Sequence, residues 1–73
     1  MFKSLKLYLG LTISLERITS SLVEFGYTRQ DAVAEEGDFS RRGGVIDIYP
    51  NSFELPIRID FNNEDISSIR TFN

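Results

Sequence analysis

The chain has 73 residues, of which 41% are hydrophobic and 26% are charged, a composition typical of one small globular domain. It contains no Cys and no His, which excludes disulfides, catalysis by a thiol or an imidazole, and zinc sites built on sulfur or nitrogen. Eleven acidic and eight basic residues give a net charge of −3, which argues against DNA or RNA as the main ligand. We expect residues 1–73 to form a single domain that is part of a much longer protein.

The first predicted element is a strand at residues 5–9, where leucines alternate with Lys6 and Tyr8 before Gly10 ends the pattern. Such a basic and apolar start resembles a signal peptide, but Glu16 and Arg17 follow without a small-x-small cleavage site. No apolar run reaches the roughly 20 residues that are needed to cross a bilayer. We therefore expect a cytoplasmic protein with no membrane partner.

The next predicted element is a helix at residues 15–25. Ser14 is a suitable N-cap, because its hydroxyl can accept a hydrogen bond from a free amide of the first turn. Gly26 can adopt the left-handed conformation that ends a helix. Four apolar residues at helical spacing predict a buried stripe: Leu15, Ile18, Leu22 and Phe25.

After the helix, the pattern changes to short strands separated by turn residues. We expect a weak strand at 31–35, a hairpin turn at 36–38, and strands at 39–42, 45–49, 57–61 and 66–72. Three connections are expected between the later strands: a bend at Gly43-Gly44, a loop at 50–56 and a turn at Asn62-Asn63. The predicted fold is a small α+β domain of two layers, with one helix packed on an antiparallel sheet of four to five short strands.

Alternation within the strands predicts which side chains share the face of the sheet that points away from the helix: Val45, Asp47, Tyr49, Arg58 and Asp60. The simplest interpretation is an ordinary solvated face with cross-strand charge pairs. The alternative interpretation is a binding face for a protein, because six of the eight basic residues are Arg. The planar guanidinium of Arg suits bidentate contacts with carboxylates and is enriched at protein interfaces.

Paired carboxylates are the remaining candidates for catalysis. Asp47 and Asp60 share the outer side of the sheet, but a two-layer domain of this size has little room for a pocket that separates two pKa values. The sequence contains neither a glycine-rich phosphate loop nor the oxygen spacing of a calcium loop. We therefore expect no enzymatic activity, no metal and no cofactor.

The densest basic stretch is "FSRRGG" at residues 39–44. An Arg-Arg-Gly-Gly run beside Phe39 would suit contact with a single-stranded nucleic acid, with the ring stacking on a base. However, neighbouring residues of a strand point to opposite sides, and the surrounding sequence is acidic. A nucleic-acid contact module therefore stays as an alternative function.

Several ordered motifs across residues 24–72 resemble a known family. They are Gly26-Tyr27, Asp31, the block "GDFSRRG", and then "IDIYP", "ELPIRIDF" and "EDISSIR". This order resembles the UvrA-interaction domain that the bacterial transcription-repair coupling factor (Mfd) shares with the excinuclease component UvrB. Ser40 and the "ELPIRIDF" segment are more similar to the coupling factor, and the equivalent domain of UvrB is the alternative assignment.

The resemblance implies a non-catalytic module that docks on UvrA, the damage-recognition ATPase of nucleotide excision repair. In the coupling factor this docking brings repair to a stalled RNA polymerase. The resemblance further implies that ATP-dependent DNA translocation, and the contacts with RNA polymerase and DNA, belong to other domains of the parent protein. Another domain of the same chain is expected to mask the surface that binds UvrA.

The resemblance also implies six partner-binding positions in this chain: Arg29, Ser40, Arg41, Arg42, Arg58 and Asp60. Arg29 and Arg42 match UvrA-contacting arginines of the family, and Arg58 with Asp60 matches a charged pair on the following strand. UvrB typically has an Arg in place of the serine in this set. We expect the neighbouring Arg41 to compensate in part for that missing charge.

Overall fold

The computed structural model describes residues 6–73, and Leu5, the first residue of the predicted N-terminal strand, lies outside the described residues. Within this range a helix, α1 (Leu15–Glu24), precedes five strands: β1 (Thr28–Arg29), β2 (Asp38–Arg42), β3 (Val45–Ile48), β4 (Ile57–Asn62) and β5 (Asp65–Thr71). The strands form one sheet in the order β1-β2-β3-β4-β5. The predicted α+β fold is confirmed. No helix in the described part of the chain is long and apolar enough to span a membrane.

Helix α1 begins at the predicted residue and ends at Glu24, one residue before the predicted end, so that Phe25 is the C-cap and is only half-buried. The Ser14 Oγ accepts a hydrogen bond from the Arg17 amide at 3.1 Å and so satisfies one of the free amides of the first turn. At the other end, the amide of Phe25 donates to the Ser21 carbonyl at 2.9 Å. Gly26 follows with a φ of +95°, a left-handed conformation that glycine adopts without strain.

The core lies between α1 and one face of the sheet. Three helix residues, Leu15, Ile18 and Leu22, are buried against one side chain of β2 and several isoleucines of the later strands: Phe39, Ile46, Ile48, Ile59 and Ile66. The isoleucines occupy alternate positions in β3 and β4, so the period-2 pattern of the sequence places them all on the helix side. Burial of this apolar surface supplies the main favourable free energy of folding.

Strands β2 to β5 form an antiparallel meander, as predicted. The two residues Gly43 and Gly44 connect β2 to β3, and Gly43 has a φ of +56°, which explains why glycine stands at this turn. Asn63 and Glu64 connect β4 to β5, with Asn63 at a φ of +60°. This turn lies one residue later than predicted, because β4 continues through Asn62.

The described part of the predicted N-terminal strand, residues 6–9, does not form a strand. The chain instead turns at Gly10, where the Leu11 amide donates to the Tyr8 carbonyl at 3.1 Å. It then contacts β5 through a bridge between Thr12 and Asp65 and through a hydrogen bond from the Gly10 amide to the Ile66 carbonyl at 2.9 Å. Leu7 is half-buried and packs against the core. Leu9, by contrast, is exposed, so the apolar alternation in this segment corresponds neither to pairing in the sheet nor to a continuous buried face.

The predicted strand at 31–35 and its hairpin turn are also wrong. The strand that pairs with β2 at this edge is instead β1, which is two residues long and runs parallel to β2. The sheet is therefore mixed, and the antiparallel pairing is confined to β2, β3, β4 and β5. The reason is the buried carboxylate of Asp38, whose Oδ2 accepts hydrogen bonds from the amides of Ala34 (3.1 Å) and Glu35 (3.0 Å). These amides are held in a turn and are not available to a strand.

Leu22 and Val23 provide a matched test of how α1 packs. Leu22 is 4% exposed and Val23 is 58% exposed, although they are neighbours in the same helix. We expect Leu22→Ala to lower the free energy of unfolding by about 2–5 kcal/mol, because it opens a cavity in the core. Val23→Ala should change it by no more than about 0.5 kcal/mol. Urea unfolding followed by circular dichroism measures both, and equal midpoints for the two variants would contradict the described packing.

Candidate partner-binding surface

The strands β2 to β5 present a second face on the side away from α1. Their register places the outward side chains in two rows across the sheet, first Ser40, Asp47, Arg58 and Arg70, and then Arg42, Val45, Asp60 and Ser68. We call these eight residues the outer face. All of them except Ser68 line one open groove. The sequence prediction that Val45, Asp47, Arg58 and Asp60 share this side of the sheet is confirmed, whereas Tyr49 follows the end of β3 and does not line the groove.

The outer face is positively charged, although the chain as a whole is acidic. Three arginines and two aspartates line the groove, so it has one positive charge in excess, whereas the whole chain has a net charge of −3. The local sign of the field is therefore opposite to the overall sign. A surface of this kind attracts carboxylates of a partner protein and steers their approach.

A bidentate ion pair lies at the centre of this face. The Nε and Nη2 of Arg58 donate to the two carboxylate oxygens of Asp47 at 2.9 and 3.0 Å, and Asp47 is directly opposite Arg58 in the register. These hydrogen bonds and the negative charge of Asp47 raise the pKa of Arg58. The Asp47 side chain is only 7% exposed. This face is thus more than a layer of solvated charges, because one of its carboxylates is buried and fully engaged.

The guanidinium of Arg58 is held from a second direction as well. Its Cζ lies 4.5 Å from the centroid of the Phe72 ring, in the geometry of a cation–π contact. Asp47 fixes one edge of the guanidinium and Phe72 fixes one of its faces. The side chain is therefore ordered before any partner arrives, while a third of its surface stays exposed.

Arg70 belongs to the outer face and was missed by the sequence interpretation. Its Nη1 donates to a carboxylate oxygen of Asp60 and to the Ser68 hydroxyl at 2.9 Å. Strict alternation would put Arg70 on the same side as Ile66, which is in the core. A bulge at Ser67 adds one residue to β5 opposite the Asp60/Phe61 position and reverses the alternation. No residue type in this stretch marks the bulge, so the sequence offers no specific signal for Arg70.

Two arginines of the predicted set have no side-chain partner among residues 6–73. Arg42 is exposed on the outer face, and Arg29 is exposed in β1 at the edge of the sheet. Neither guanidinium makes a hydrogen bond or an ion pair with another described residue. Their donors are therefore available to a partner without breaking an existing contact.

Arg41 points to the other side of β2. It is opposite Ile46, a core residue, and its Nη1 lies 3.0 Å from a carboxylate oxygen of Glu16 in α1. Arg41 and Ser40 therefore face opposite sides, and the charge of Arg41 is already paired. This geometry does not support the expectation that Arg41 compensates for the serine.

The six predicted partner-binding positions fall into two groups. Four of them are together on the outer face: Ser40, Arg42, Arg58 and Asp60. Arg29, in the edge strand β1, and Arg41, on the helix side of β2, line a separate depression that they share with Arg42. Arg42 is thus the residue that connects the two groups.

The outer face offers little to a catalyst or to a nucleic acid. Both carboxylates, Asp47 and Asp60, are bound by arginines, which leaves neither free to act as a general base. No group of three acidic side chains in residues 6–73 is arranged to hold a metal ion. Phe39, the aromatic residue of the basic stretch, is completely buried in the core and cannot stack on a base.

The ion pair between Arg41 and Glu16 predicts a measurable titration. The hydrogen bond from Arg41, a local backbone hydrogen bond and the charge of Arg41 lower the pKa of Glu16 below its ordinary value of 4.5. Because the pKa is lowered by folding, this pair stabilises the fold fully above pH 4.5, and the stabilisation is lost as the pH falls through the lowered pKa. NMR titration of the Glu16 carboxyl should show an upward shift of its pKa in Arg41→Ala. An unchanged pKa in that variant would contradict the pair.

Comparisons with known proteins agree with the motifs. The family model described as "UvrB interaction domain" matches residues 5–73. The transcription-repair-coupling factor of Bacillus subtilis (strain 168) is 48% identical over 64 residues, which cover 88% of this chain and 5% of that protein. The protein of the same name from Mycobacterium tuberculosis (strain CDC 1551 / Oshkosh) is 36% identical over 73 residues, which cover 100% of this chain and 6% of that protein.

A third relative, the transcription-repair-coupling factor of Escherichia coli (strain K12), is 36% identical over 64 residues, which cover 88% of this chain and 6% of that protein. The chain thus spans only 5–6% of the length of these curated relatives. The family resemblance predicted from the motifs is confirmed by a model match over nearly the whole chain. The chain belongs to the UvrB interaction domain family.

Proposed function

We propose that this chain is the UvrA-docking module of a transcription-repair coupling factor and that UvrA docks on the outer face. Membership of the UvrB interaction domain family supports the class of partner. The observation that carries the assignment of the surface is that Arg42, which has no side-chain partner in the described part of the chain, lies beside Arg58 and Arg70 in one groove, on a chain that is acidic overall. An arginine without an internal partner on such a face is best used by carboxylates of another protein.

The arginines of the outer face would contribute to docking in different ways. The guanidinium of Arg42 has no partner among residues 6–73, so it can form new charge-assisted hydrogen bonds with a carboxylate of UvrA. Arg58 is already ordered by Asp47 and Phe72, so docking against its exposed surface costs little side-chain entropy. Ordered arginines near the centre of an interface are common among the residues that contribute most to affinity.

The remaining activities of the parent protein are assigned to its other domains. This chain spans 5–6% of the curated relatives, so ATP-dependent DNA translocation and the contacts with RNA polymerase and DNA would lie outside it. We further propose that another domain of the parent chain masks the outer face until repair is needed. In this view the module is non-catalytic and brings UvrA to a stalled polymerase in the cytoplasm.

Arg42→Ala is the most direct test of this function. We expect it to weaken binding to cognate UvrA at least about tenfold, measured by isothermal titration calorimetry, without a change in the thermal midpoint. Arg17→Ala is the matched control, because Arg17 is an exposed residue of α1 on the opposite side of the sheet and its loss changes the net charge equally. Wild-type affinity for Arg42→Ala, or an equal loss for Arg17→Ala, would exclude the outer face as the docking surface.

Arg58→Ala should also weaken UvrA binding at least about tenfold. The domain stays folded but with a lower thermal midpoint, because the buried Asp47 carboxylate loses both of its hydrogen bonds. The double variant Asp47→Ala/Arg58→Ala removes both partners and should recover part of the midpoint while binding stays weak. Recovery of affinity together with stability would show that Arg58 acts only on the fold.

Duplex DNA and single-stranded RNA serve as the test of the nucleic-acid alternative. A module that neutralises phosphates would bind them with an affinity that falls with salt, at a slope of about −0.9 per phosphate for duplex DNA. We expect no such binding by this chain. A steep salt dependence of nucleic-acid binding, lost in Arg42→Ala, would favour the alternative over UvrA docking.

A further inference from the structure

Arg70 is the more exposed of the two paired arginines on the outer face. Its side chain is 51% exposed, compared with 33% for Arg58. Both of its hydrogen bonds, to Asp60 and to Ser68, use Nη1. The Nε and Nη2 donors of Arg70 make no hydrogen bond within residues 6–73.

The free Nε–Nη2 edge of this guanidinium is suited to binding a carboxylate. A carboxylate binds Arg in a bidentate manner through two parallel N–H groups, and Nε with Nη2 is one such pair. Arg58 uses this edge for Asp47, with distances of 2.9 and 3.0 Å. The same edge of Arg70 is unoccupied by any described residue, so Arg70 can bind a carboxylate from outside in the geometry that Arg58 already shows.

Asp60 determines where that edge lies. Arg58 and Arg70 are directly opposite each other in neighbouring strands, an arrangement in which two like charges repel. Asp47 draws Arg58 towards β3, and Asp60 on β4 holds Arg70 through Nη1. Without Asp60, the repulsion from Arg58 would move Arg70 away from the groove.

We propose that Arg70 is a further partner-binding residue, which takes a carboxylate of an acidic protein surface through its Nε–Nη2 edge, and that Asp60 is its positioning residue. This inference rests on the proposed function of the outer face and specifies the chemistry of the partner. It extends the arginine surface from β2 through β4 to the edge strand β5. It also gives Asp60 a role that acts through Arg70 and needs no direct contact with the partner.

The test measures cognate UvrA binding to the full 73-residue chain by isothermal titration calorimetry, with the thermal midpoint of each variant as a control. Arg70→Ala should weaken binding about five- to tenfold, and Arg70→Lys, which keeps the charge but not the two parallel donors, should recover little of the loss. Wild-type affinity for Arg70→Ala would overturn the proposal. Full recovery by Arg70→Lys would overturn the bidentate contact.

A double-variant cycle tests the role of Asp60. Asp60→Ala should weaken binding by less than Arg70→Ala, and the double variant Asp60→Ala/Arg70→Ala should bind no more weakly than Arg70→Ala alone. Losses that multiply in the double variant would show that Asp60 contacts the partner independently, and the positioning role would be wrong.

Arg42→Ala, titrated in the same series, separates this inference from the function on which it rests. If Arg42→Ala weakens binding and Arg70→Ala does not, the outer face docks UvrA without Arg70 and only this inference fails. If Arg42→Ala leaves binding unchanged, the proposed function itself fails, whatever the result for Arg70→Ala. A loss in both variants supports the two together.

Discussion

The alternation of side chains along a strand is the constraint on which the rest of this domain depends. One helix covers the sheet on one side, so each of the strands β2 to β5 has to supply core residues to that side and to carry on the other side whatever the molecule presents outward. Strands β3 and β4 show both tasks in adjacent pairs. Ile46 is opposite Ile59 in the core, and Asp47, the next residue, is opposite Arg58 on the outer face. The stability of the fold and the chemistry of its surface are thus built into the same short segments.

Because the strands serve both purposes, positive charge is concentrated on one side of the sheet although the chain as a whole is acidic. Acidic residues outnumber basic ones in the chain, yet the helix-free side of the sheet concentrates arginines from β2, β4 and β5. Internal aspartates hold two of these arginines in place without cancelling the third. The domain can therefore keep an acidic overall surface, which discourages binding to nucleic acid, and still offer a defined positive groove to an acidic protein.

Most of the fold could be predicted from local patterns, since local chemistry determines those parts. Ser14 and Gly26 mark the ends of α1 because capping and left-handed turns depend on single residues. The strands of the meander were predicted to within one or two residues because their alternation is regular. Four of the six predicted partner-binding residues, including Arg58 and Asp60, lie together on the outer face. Whether these positions contact UvrA stays a prediction.

The parts that could not be predicted depend on interactions between distant residues. Strand β1 pairs parallel with β2. The Asp38 carboxylate accepts hydrogen bonds from two amides of the segment 31–35, which the sequence pattern predicts to be a strand. Polar and apolar residues alternate over residues 6–9 as in a strand, but the segment is not paired in the sheet and Leu7 packs against the core. Arg70 was missed since its side of the sheet depends on a bulge that no residue type in β5 reveals.

That bulge makes the surface depend on the number of residues in β5 as well as on their identity. Ile66 and Arg70 are an even number of positions apart, and the extra residue at Ser67 is what allows them to face opposite sides. A relative with one residue fewer between these two positions would reach the same arrangement with a regular strand. When members of this family are aligned, a one-residue gap between the isoleucine and the arginine is therefore compatible with an unchanged surface, whereas equal spacing preserves it only where the bulge is also kept.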